Sequence, residues 1–117
     1  MPDFSFRQGD VVRVPFPYTD KATRQHRPAL VVSHGDLGEG QPLLWVAMIT
    51  SAENRRWPDD QAIDDLAQAG LPSPSVVRPA KIATIEARHA EPLGQVPPDV
   101  MVQISQTLGR YLGVIRS

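Results

Sequence analysis

Short apolar runs separated by turn residues extend along most of the chain, and this pattern predicts a mainly β structure. Asp10 to Phe16 partly alternates and is rich in valine, so it predicts a first strand. Pro15 and Pro17 favour an edge position or a bend at its end. Residues 28–33 form a nearly continuous apolar run, as expected for a strand that is covered on both faces. Residues 43–50 predict a third strand.

The second half of the chain mixes helical and extended patterns. Residues 59–69 predict a helix, because Ile63, Leu66 and Ala67 follow helical spacing, aspartates stand at its start and Gly70 suits its end. A final helix opens at residues 97–99, and its apolar residues recur four positions apart: Val100, Ile104, Leu108 and Leu112.

Between these two helices, residues 75–78 and 81–86 predict two short strands on either side of Pro79. Several short strands with turn residues between them, together with two helices, predict an α+β fold that is mainly β. The expected architecture is a small barrel or curled sheet with helices packed on it. A chain of 117 residues without a repeat or a linker predicts one domain over residues 1–117.

Composition narrows the class of protein. The chain has no cysteine, no apolar run as long as a membrane span and no signal-peptide pattern at its start, so we expect a soluble cytoplasmic protein without a membrane partner. The formal net charge is −1, which by itself does not favour nucleic-acid binding. The charges are unevenly placed, however. Residues 1–34 carry five basic and three acidic side chains, whereas residues 53–66 carry two basic and five acidic ones.

The candidate chemistry does not involve a metal or a cofactor. The three histidines are far apart in sequence, and neither a metal-binding motif nor a glycine-rich phosphate loop is present. The remaining candidates are cationic, hydroxyl and acid–base side chains: Arg27, His26, Thr50, Ser51, Arg78, Lys81, Glu86 and His89. Singly, each is more often structural. Together they suit RNA, which carries its own nucleophile and needs only proton transfer and donors to its phosphoryl oxygens.

Six motifs in order resemble the MazF/PemK family of toxins. The first two are residues 9–17, with Gly-Asp-Val-Val and Pro-Phe-Pro, and residues 27–33, Arg-Pro-Ala-Leu-Val-Val-Ser. Gly-Leu-Pro, Ser-Val-Val-Arg-Pro, Lys-Ile-Ala-Thr-Ile and Leu-Gly-Gln-Val follow in the second half, ahead of the closing helix. The resemblance covers nearly the whole chain.

This resemblance implies an SH3-like curled β-barrel with two or three short helices, usually as a homodimer. It implies the toxin of a type II toxin-antitoxin system, an endoribonuclease that cuts single-stranded RNA at short sequences without the ribosome. The implied products are a 2′,3′-cyclic phosphate and a 5′-hydroxyl, and the implied partner is a MazE-like antitoxin. By matching positions, Arg27 and Thr50 form the catalytic pair, and Ser51 helps to bind RNA.

Further RNA contacts are expected around this pair. The polar loop that runs from Tyr18 to His26 is expected to form the rim of an RNA groove. Trp57, beside two arginines, is expected to stack on a base or contact the antitoxin. The full set of expected RNA-binding residues is Ser51, Tyr18, Lys21, Arg24, His26, Trp57, Arg78 and Lys81.

One departure leaves alternatives open. Some relatives use a later arginine as acid and an aspartate two residues on as base. Arg78 matches that arginine, but Ala80 occupies the aspartate position. Either Arg27 and Thr50 carry the reaction, which we favour, or Glu86 or His26 substitutes, or the enzyme is weak. The alternative function is therefore a barrel that acts as a binding module, either an RNA binder or a gyrase poison of the CcdB type. The chain end lacks the tryptophan-glycine-isoleucine tail of CcdB-like poisons, and no element resembles a DNA-recognition helix.

Overall fold

The computed structural model describes residues 5–16, 25–38 and 40–115. These residues form one antiparallel sheet of six strands in the order β4-β5-β3-β2-β1-β6. The strands are β1 (Asp10–Phe16), β2 (Gln25–Val31), β3 (Leu43–Ser51), β4 (Gln61–Ile63), β5 (Ser75–Glu86) and β6 (Glu91–Gln95). The helices are α1 (Leu66–Ala69), a 3-10 turn (Ala87–His89) and α2 (Pro98–Leu112). No helix in the described part of the chain is long and apolar enough to cross a membrane.

The central strands bury side chains on both faces of the sheet. Leu30 and Ile49 point into one apolar cluster, which also receives residues of α1, α2 and β4. Ala29, Val31 and Met48, their neighbours along the strands, point into a second cluster on the opposite face. Successive strand residues face opposite sides, so a continuous apolar run fills both clusters. The sequence-based prediction of a doubly covered strand is thus confirmed for β2.

Strand β1 contains a proline at a position where it has a neighbouring strand on only one side. Its residues Val11 to Arg13 pair with both β2 and β6, but Pro15 pairs with His26 of β2 alone. Proline lacks the N–H that a second neighbour would need as a donor. The prediction of an edge or bend therefore holds for the last part of β1, and the first part lies inside the sheet.

Strand β5 is one strand where the sequence indicates two. Ala47 of β3 pairs with Ile82, whereas the next residue, Met48, pairs with Arg78. The three residues between, including Pro79, have no opposite partner and form a bulge. The two predicted segments are thus the two halves of a single strand, joined where proline could not have continued the hydrogen-bond ladder.

The predicted helix over residues 59–69 is wrong. Residues 61–63 form β4, which pairs with β5, and Ile63 is buried in the core. The helix is limited to α1, where Asp65 caps the start through its side chain and Gly70 ends it in the left-handed conformation, φ 71°. Pairing with an open strand edge outweighs a weak helical periodicity, although the predicted end at Gly70 is confirmed.

The final helix is confirmed, and it packs on the first cluster through Met101 and Ile104. Strand β6, for which the sequence pattern gives no strand, approaches α1 so closely that a Cβ at Gly94 would lie 2.2 Å from the carbonyl oxygen of Gln68. The whole is a curled half-barrel sheet with a C-terminal helix, as the sequence predicts.

Candidate functional site

Arg27 and Thr50 come together where β2 and β3 diverge. The two strands pair with Ala29 opposite Met48, and two residues further the same register sets Arg27 opposite Thr50. Both lie on the face of the second apolar cluster, beyond its last buried residues. The polar pair therefore stands at the open end of an apolar face, where the sheet no longer covers it.

A groove of about 520 Å³ opens at this point. Its described lining consists of Arg27, Met48, Thr50, Asn54, Arg55, Trp57, Arg78 and Lys81. Five of the residues expected from the sequence are thus brought to one surface by β2, β3, β5 and the segment between β3 and β4. Within the described lining the charged side chains are all cationic, although the protein as a whole has a net charge of −1.

Thr50 is held by a tight turn at the end of β3. Its side chain is nearly buried, at 5% exposure, and its Oγ1 accepts a hydrogen bond of 2.6 Å from Nδ2 of Asn54. The turn brings Asn54 back over Thr50, because the Asn54 N–H donates to the Ser51 carbonyl and the Glu53 N–H donates to Ser51 Oγ. The hydroxyl is therefore fixed in place before any ligand arrives.

Arg78 forms a buried ion pair rather than projecting freely into the groove. Its guanidinium donates to both carboxylate oxygens of Asp60, at 3.2 and 3.1 Å, and to the carbonyl of Arg55 at 2.7 Å. The two paired side chains are 8% and 5% exposed. The Cζ of Arg78 also lies 4.6 Å from the centre of the Trp57 ring, within range of a cation–π contact.

Trp57 is consequently fixed at the side of the groove. Its backbone N–H donates to Asp60 Oδ2 at 3.0 Å, so the carboxylate that pairs with Arg78 also holds the tryptophan segment. Lys81 Nζ lies 5.8 Å from the centre of the ring. The indole is 36% exposed, which leaves part of its surface open to a ligand.

The bulge in β5 explains how Arg78 and Lys81 reach the same groove. In a regular strand, residues three apart point to opposite faces. The extra residues between the two paired halves of β5 change the direction of the chain, so both cations line one surface. The proline that interrupts the ladder is thus part of how the site is built.

A second set of contacts fixes the tryptophan segment to α2. Asp59 has a left-handed backbone, φ 63°, and its carboxylate accepts a 2.6 Å hydrogen bond from the Tyr111 hydroxyl and a longer one from Arg110. The Tyr111 hydrogen bond has the largest effect and lowers the pKa of Asp59; burial opposes it, and the weaker Arg110 contacts lower the pKa further. Partial burial and the bond to the carboxylate raise the pKa of Tyr111 to about 12.

Other predicted residues lie elsewhere. Ser51 is adjacent to Thr50 but follows it on the opposite side of β3, and His26 is exposed on the side of β2 away from Arg27. Neither lines the groove as described. Tyr18, Lys21 and Arg24 lie outside the described residues.

The positions of Glu86 and Ala80 also bear on the alternatives that the missing aspartate left open. Glu86 pairs with Leu43, at the far end of β3 from Thr50, and contacts Arg88 and His89. Thr50 lies seven residues further along β3 than Leu43, about 23 Å away, so the prediction that Glu86 could substitute as a base is wrong. Ala80 lines a separate apolar hollow beside Trp45 and does not line the groove.

Sequence reasoning missed Asn54, Arg55 and Asp60. The sequence pattern indicates a helix cap at Asp59 or Asp60, whereas the partner of Asp60 is Arg78, eighteen residues away on β5. A signal for Asn54 and Arg55 exists in their position just after the candidate Thr50, in a polar stretch that has to turn back across the strand end. Among the described residues, no group of three histidine or carboxylate side chains could hold a metal ion.

The fold and the site define a small SH3-like half-barrel with a cationic groove at one end of its sheet. A family model for the PemK-like, MazF-like toxins of type II toxin-antitoxin systems matches residues 7–112, and the chain belongs to this family. No curated protein matches the sequence significantly.

Solved structures agree with this assignment at the level of the fold. The chain is similar to MazF from Deinococcus radiodurans, with a TM-score of 0.71, 24% identity, and coverage of 95% of this chain and 99% of that one. The MazE-MazF complex (Form-II) from the same organism gives a TM-score of 0.68 and 24% identity over 97% and 100% of the chains. An endoribonuclease in complex with its cognate antitoxin, from a mycobacterial species, gives 0.67 and 20% identity over 95% and 96%.

Proposed function

We propose that this toxin is a sequence-specific endoribonuclease that cleaves single-stranded RNA without a metal ion. The observation that carries the proposal is the position of Arg27 and Thr50 at the open end of the sheet, in a groove whose described charges are all cationic. A cation and a fixed hydroxyl side by side suit a phosphodiester. The similarity to a mycobacterial endoribonuclease of the same fold supports the same activity.

The reaction is an internal transfer. The 2′-oxygen of the nucleotide forms a bond to phosphorus while the bond from phosphorus to the 5′-oxygen of the next nucleotide breaks. The 2′-hydroxyl loses its proton and the departing 5′-oxygen gains one, which gives a 2′,3′-cyclic phosphate and a 5′-hydroxyl. No atom from outside the RNA enters the product, so positioning and charge stabilisation are the main tasks of the protein.

Arg27 is assigned to the phosphoryl oxygens. A guanidinium stays protonated at any physiological pH and offers a planar set of N–H donors that fits two oxygens of one phosphate. As charge builds on those oxygens in the transition state, its interaction strengthens, which is what accelerates the chemical step. Thr50 supplies a second donor to the same group.

The remaining groove residues are assigned to binding. Arg55 and Lys81 contact the flanking phosphates, and the exposed part of the Trp57 ring stacks on a base. Stacking of a base on an aromatic side chain contributes about 1–3 kcal/mol. Arg78 acts mainly through Trp57, because its guanidinium is already engaged by Asp60.

The partners follow from the same groove. We propose a homodimer that is held inactive in the cytoplasm by a MazE-like antitoxin, as the solved MazE-MazF complexes suggest by similarity. An acidic, extended antitoxin segment would compete with RNA for the cations of the groove.

The direct test is cleavage of a long single-stranded RNA by the purified protein in EDTA, with the ends of the products identified. We expect cuts at a short recurring sequence, with 5′-hydroxyl ends. Arg27→Ala should reduce the rate by about 1,000-fold, whereas Arg88→Ala, an exposed arginine just beyond the other end of β5, should have no effect. Cleavage that requires added Mg²⁺ would refute the mechanism, and RNA binding without cleavage would favour a binding module.

A further inference from the structure

The hydrogen bond between Asn54 and Thr50 determines what the threonine hydroxyl can do. A hydroxyl has one proton to donate and two lone pairs to accept. Thr50 Oγ1 accepts from Asn54 Nδ2 at 2.6 Å, and no other partner for this side chain lies among the described residues. One lone pair is therefore occupied, and the proton remains available to a ligand.

The surroundings of Thr50 leave few directions for that proton. The side chain is 5% exposed, so most orientations meet protein. The other groove residues in β2 and β3 are Arg27, which has no acceptor in its side chain, and Met48, whose thioether is a weak one. A phosphoryl oxygen held by Arg27 would be the strong acceptor within reach.

Asn54 is itself fixed by the turn that follows β3. Its N–H donates to the carbonyl of Ser51 at 3.1 Å, and the turn is anchored to the sheet by the Ala52 N–H, which donates to the carbonyl of Pro74 at 3.0 Å. The amide group is therefore held over Thr50 by the backbone, independently of any ligand. The Asn54–Thr50 hydrogen bond is therefore preorganised: it exists before a substrate binds.

We propose that Asn54 is a positioning residue that keeps the Thr50 hydroxyl proton directed into the groove, so that Thr50 donates to a non-bridging oxygen of the scissile phosphate. This inference rests on the proposed ribonuclease function. It assigns Thr50 the role of donor rather than proton acceptor. It also gives a role to a residue of the turn that no sequence motif marks.

The test reverses the polarity of this one hydrogen bond. Asn54→Asp has nearly the same shape, but its carboxylate only accepts, so it would draw the Thr50 proton away from the phosphate. Asn54→Ala removes the bond without replacing it. Both variants are compared with the wild type in single-turnover cleavage of an RNA oligonucleotide that contains the mapped cut site. Binding is measured on the same oligonucleotide with a 2′-deoxy nucleotide at the cut.

We expect Asn54→Asp to lower the saturated cleavage rate by about 30-fold or more and Asn54→Ala by about 10-fold, since a lost oxyanion donor costs about 100- to 1,000-fold. The dissociation constant of the uncleavable RNA should change by less than about threefold. Circular dichroism and thermal melts show whether each variant is folded. If Asn54→Asp fails to fold, Asn54→Ala decides the question alone.

A Thr50→Val background separates positioning from simple charge repulsion. There, Asn54→Asp should cause no further loss, because the hydroxyl it acts on is absent. A repulsion between the new carboxylate and RNA would persist in that background and would overturn the proposal. A phosphorothioate at one non-bridging position should slow the wild type, and this effect should disappear in both Thr50→Val and Asn54→Asp.

The outcomes are distinguishable from those of the proposed function. A wild-type protein that does not cleave RNA overturns both. A wild type that cleaves, with Asn54→Asp within about twofold of it or with a loss confined to binding, leaves the ribonuclease standing and removes Asn54 from the mechanism.

Discussion

The buried pair of Asp60 and Arg78 is the residue-scale feature that holds the groove wall. Asp60 binds the guanidinium through two oxygens and also accepts from the Trp57 N–H, while the guanidinium lies against the Trp57 ring. One carboxylate thus fixes a strand, a loop and an aromatic surface. Arg78, which the sequence predicts to contact RNA, is engaged by Asp60 and lies against the Trp57 ring in this structure.

Removal of the Asp60 charge should destabilise the protein strongly. Asp60→Asn leaves a guanidinium that is 8% exposed without its counter-charge, and breaking a buried pair in this way costs about 3–5 kcal/mol. Urea denaturation measures the free energy of unfolding. Glu86→Gln is the control, since the exposed pair with Arg88 is worth less than about 1 kcal/mol. Equal losses in the two variants would contradict this account.

At the scale of elements, two glycines that look equivalent in sequence should respond differently to substitution by alanine. A Cβ at Gly94 would lie 2.2 Å from the Gln68 carbonyl and 2.6 Å from the Ala69 carbonyl carbon, both backbone atoms of α1. A Cβ at Gly109 would meet first the end of the Ile115 side chain, which can rotate. Overpacking costs about 1–3 kcal/mol, whereas alanine inside a helix gains about 1 kcal/mol over glycine.

We therefore expect Gly94→Ala to lower the melting temperature and Gly109→Ala to leave it equal or higher. Thermal denaturation by circular dichroism compares the two. A stable Gly94→Ala protein would show that α1 and β6 can separate without cost. RNA cleavage by either variant at a temperature where it is folded should be unchanged, because both positions lie outside the groove.

The contact between the tryptophan segment and α2 should be visible as a shifted tyrosine titration. Tyr111 has its pKa raised to about 12 by partial burial and by the hydrogen bond to Asp59. A pKa raised in the folded state means that the stabilisation is complete below the ordinary value near 10 and is lost as the pH rises through about 12. Conversely, the lowered pKa of Asp59 means that its share is present above the ordinary value and is lost as the pH falls through the lowered one.

Asp59→Asn should lower the pKa of Tyr111 towards its ordinary value of about 10, because the charge is removed while asparagine still tolerates the left-handed backbone. Ultraviolet titration of tyrosinate in a Tyr18→Phe background isolates Tyr111, since the chain has two tyrosines. An unchanged midpoint in the Asp59→Asn variant would mean that the Asp59 carboxylate does not hold the hydroxyl in solution.

The strands and helices that the sequence predicted correctly are those whose local residue pattern agrees with their pairing or packing in the fold. The runs over β2 and β3 are apolar enough to be strands in any context, and the spacing in α2 fits no other structure. Residues 61–63 have no strong preference of their own, and their strand exists because β5 offers an unpaired edge. The division of β5 around Pro79 could be detected in the sequence, but a bulge and a break look the same there.

At the scale of the whole molecule, charge placement matters more than charge total. The protein has a net charge of −1, yet the described groove lining carries four cations and one of them, Arg78, is neutralised by Asp60. With about three phosphates neutralised, the logarithm of RNA affinity should fall against the logarithm of salt with a slope of about −2. The net charge of −1 by itself predicts no such dependence.

Fluorescence anisotropy of an uncleavable single-stranded RNA over a salt series measures this slope. Arg55→Gln should make it shallower by about 0.7, the value for one phosphate contact on a single strand. Arg88→Gln should not change it. A slope near zero in the unmodified protein would place RNA binding outside the groove.

Arg27 and Thr50 could be proposed as a catalytic pair from the sequence because they occupy matching positions of the family pattern. The contacts that hold the groove around them could not be predicted in this way. The Asn54 contact depends on a turn closed by backbone hydrogen bonds, and the Asp60 contact joins residues 18 apart through a strand that the sequence pattern does not predict. Such contacts are set by the three-dimensional course of the chain.

The two tryptophans lie on two different surfaces, so each can serve as an intrinsic fluorescence probe of its own surface. Trp57 lines the cationic groove, whereas Trp45 is 47% exposed beside the apolar hollow formed with α2. Because the chain contains no third tryptophan, replacing either one with phenylalanine leaves emission from one surface alone. Quenching in the Trp45→Phe protein then reports events in the groove, and a spectral shift in Trp57→Phe reports events at the apolar hollow, without any attached dye.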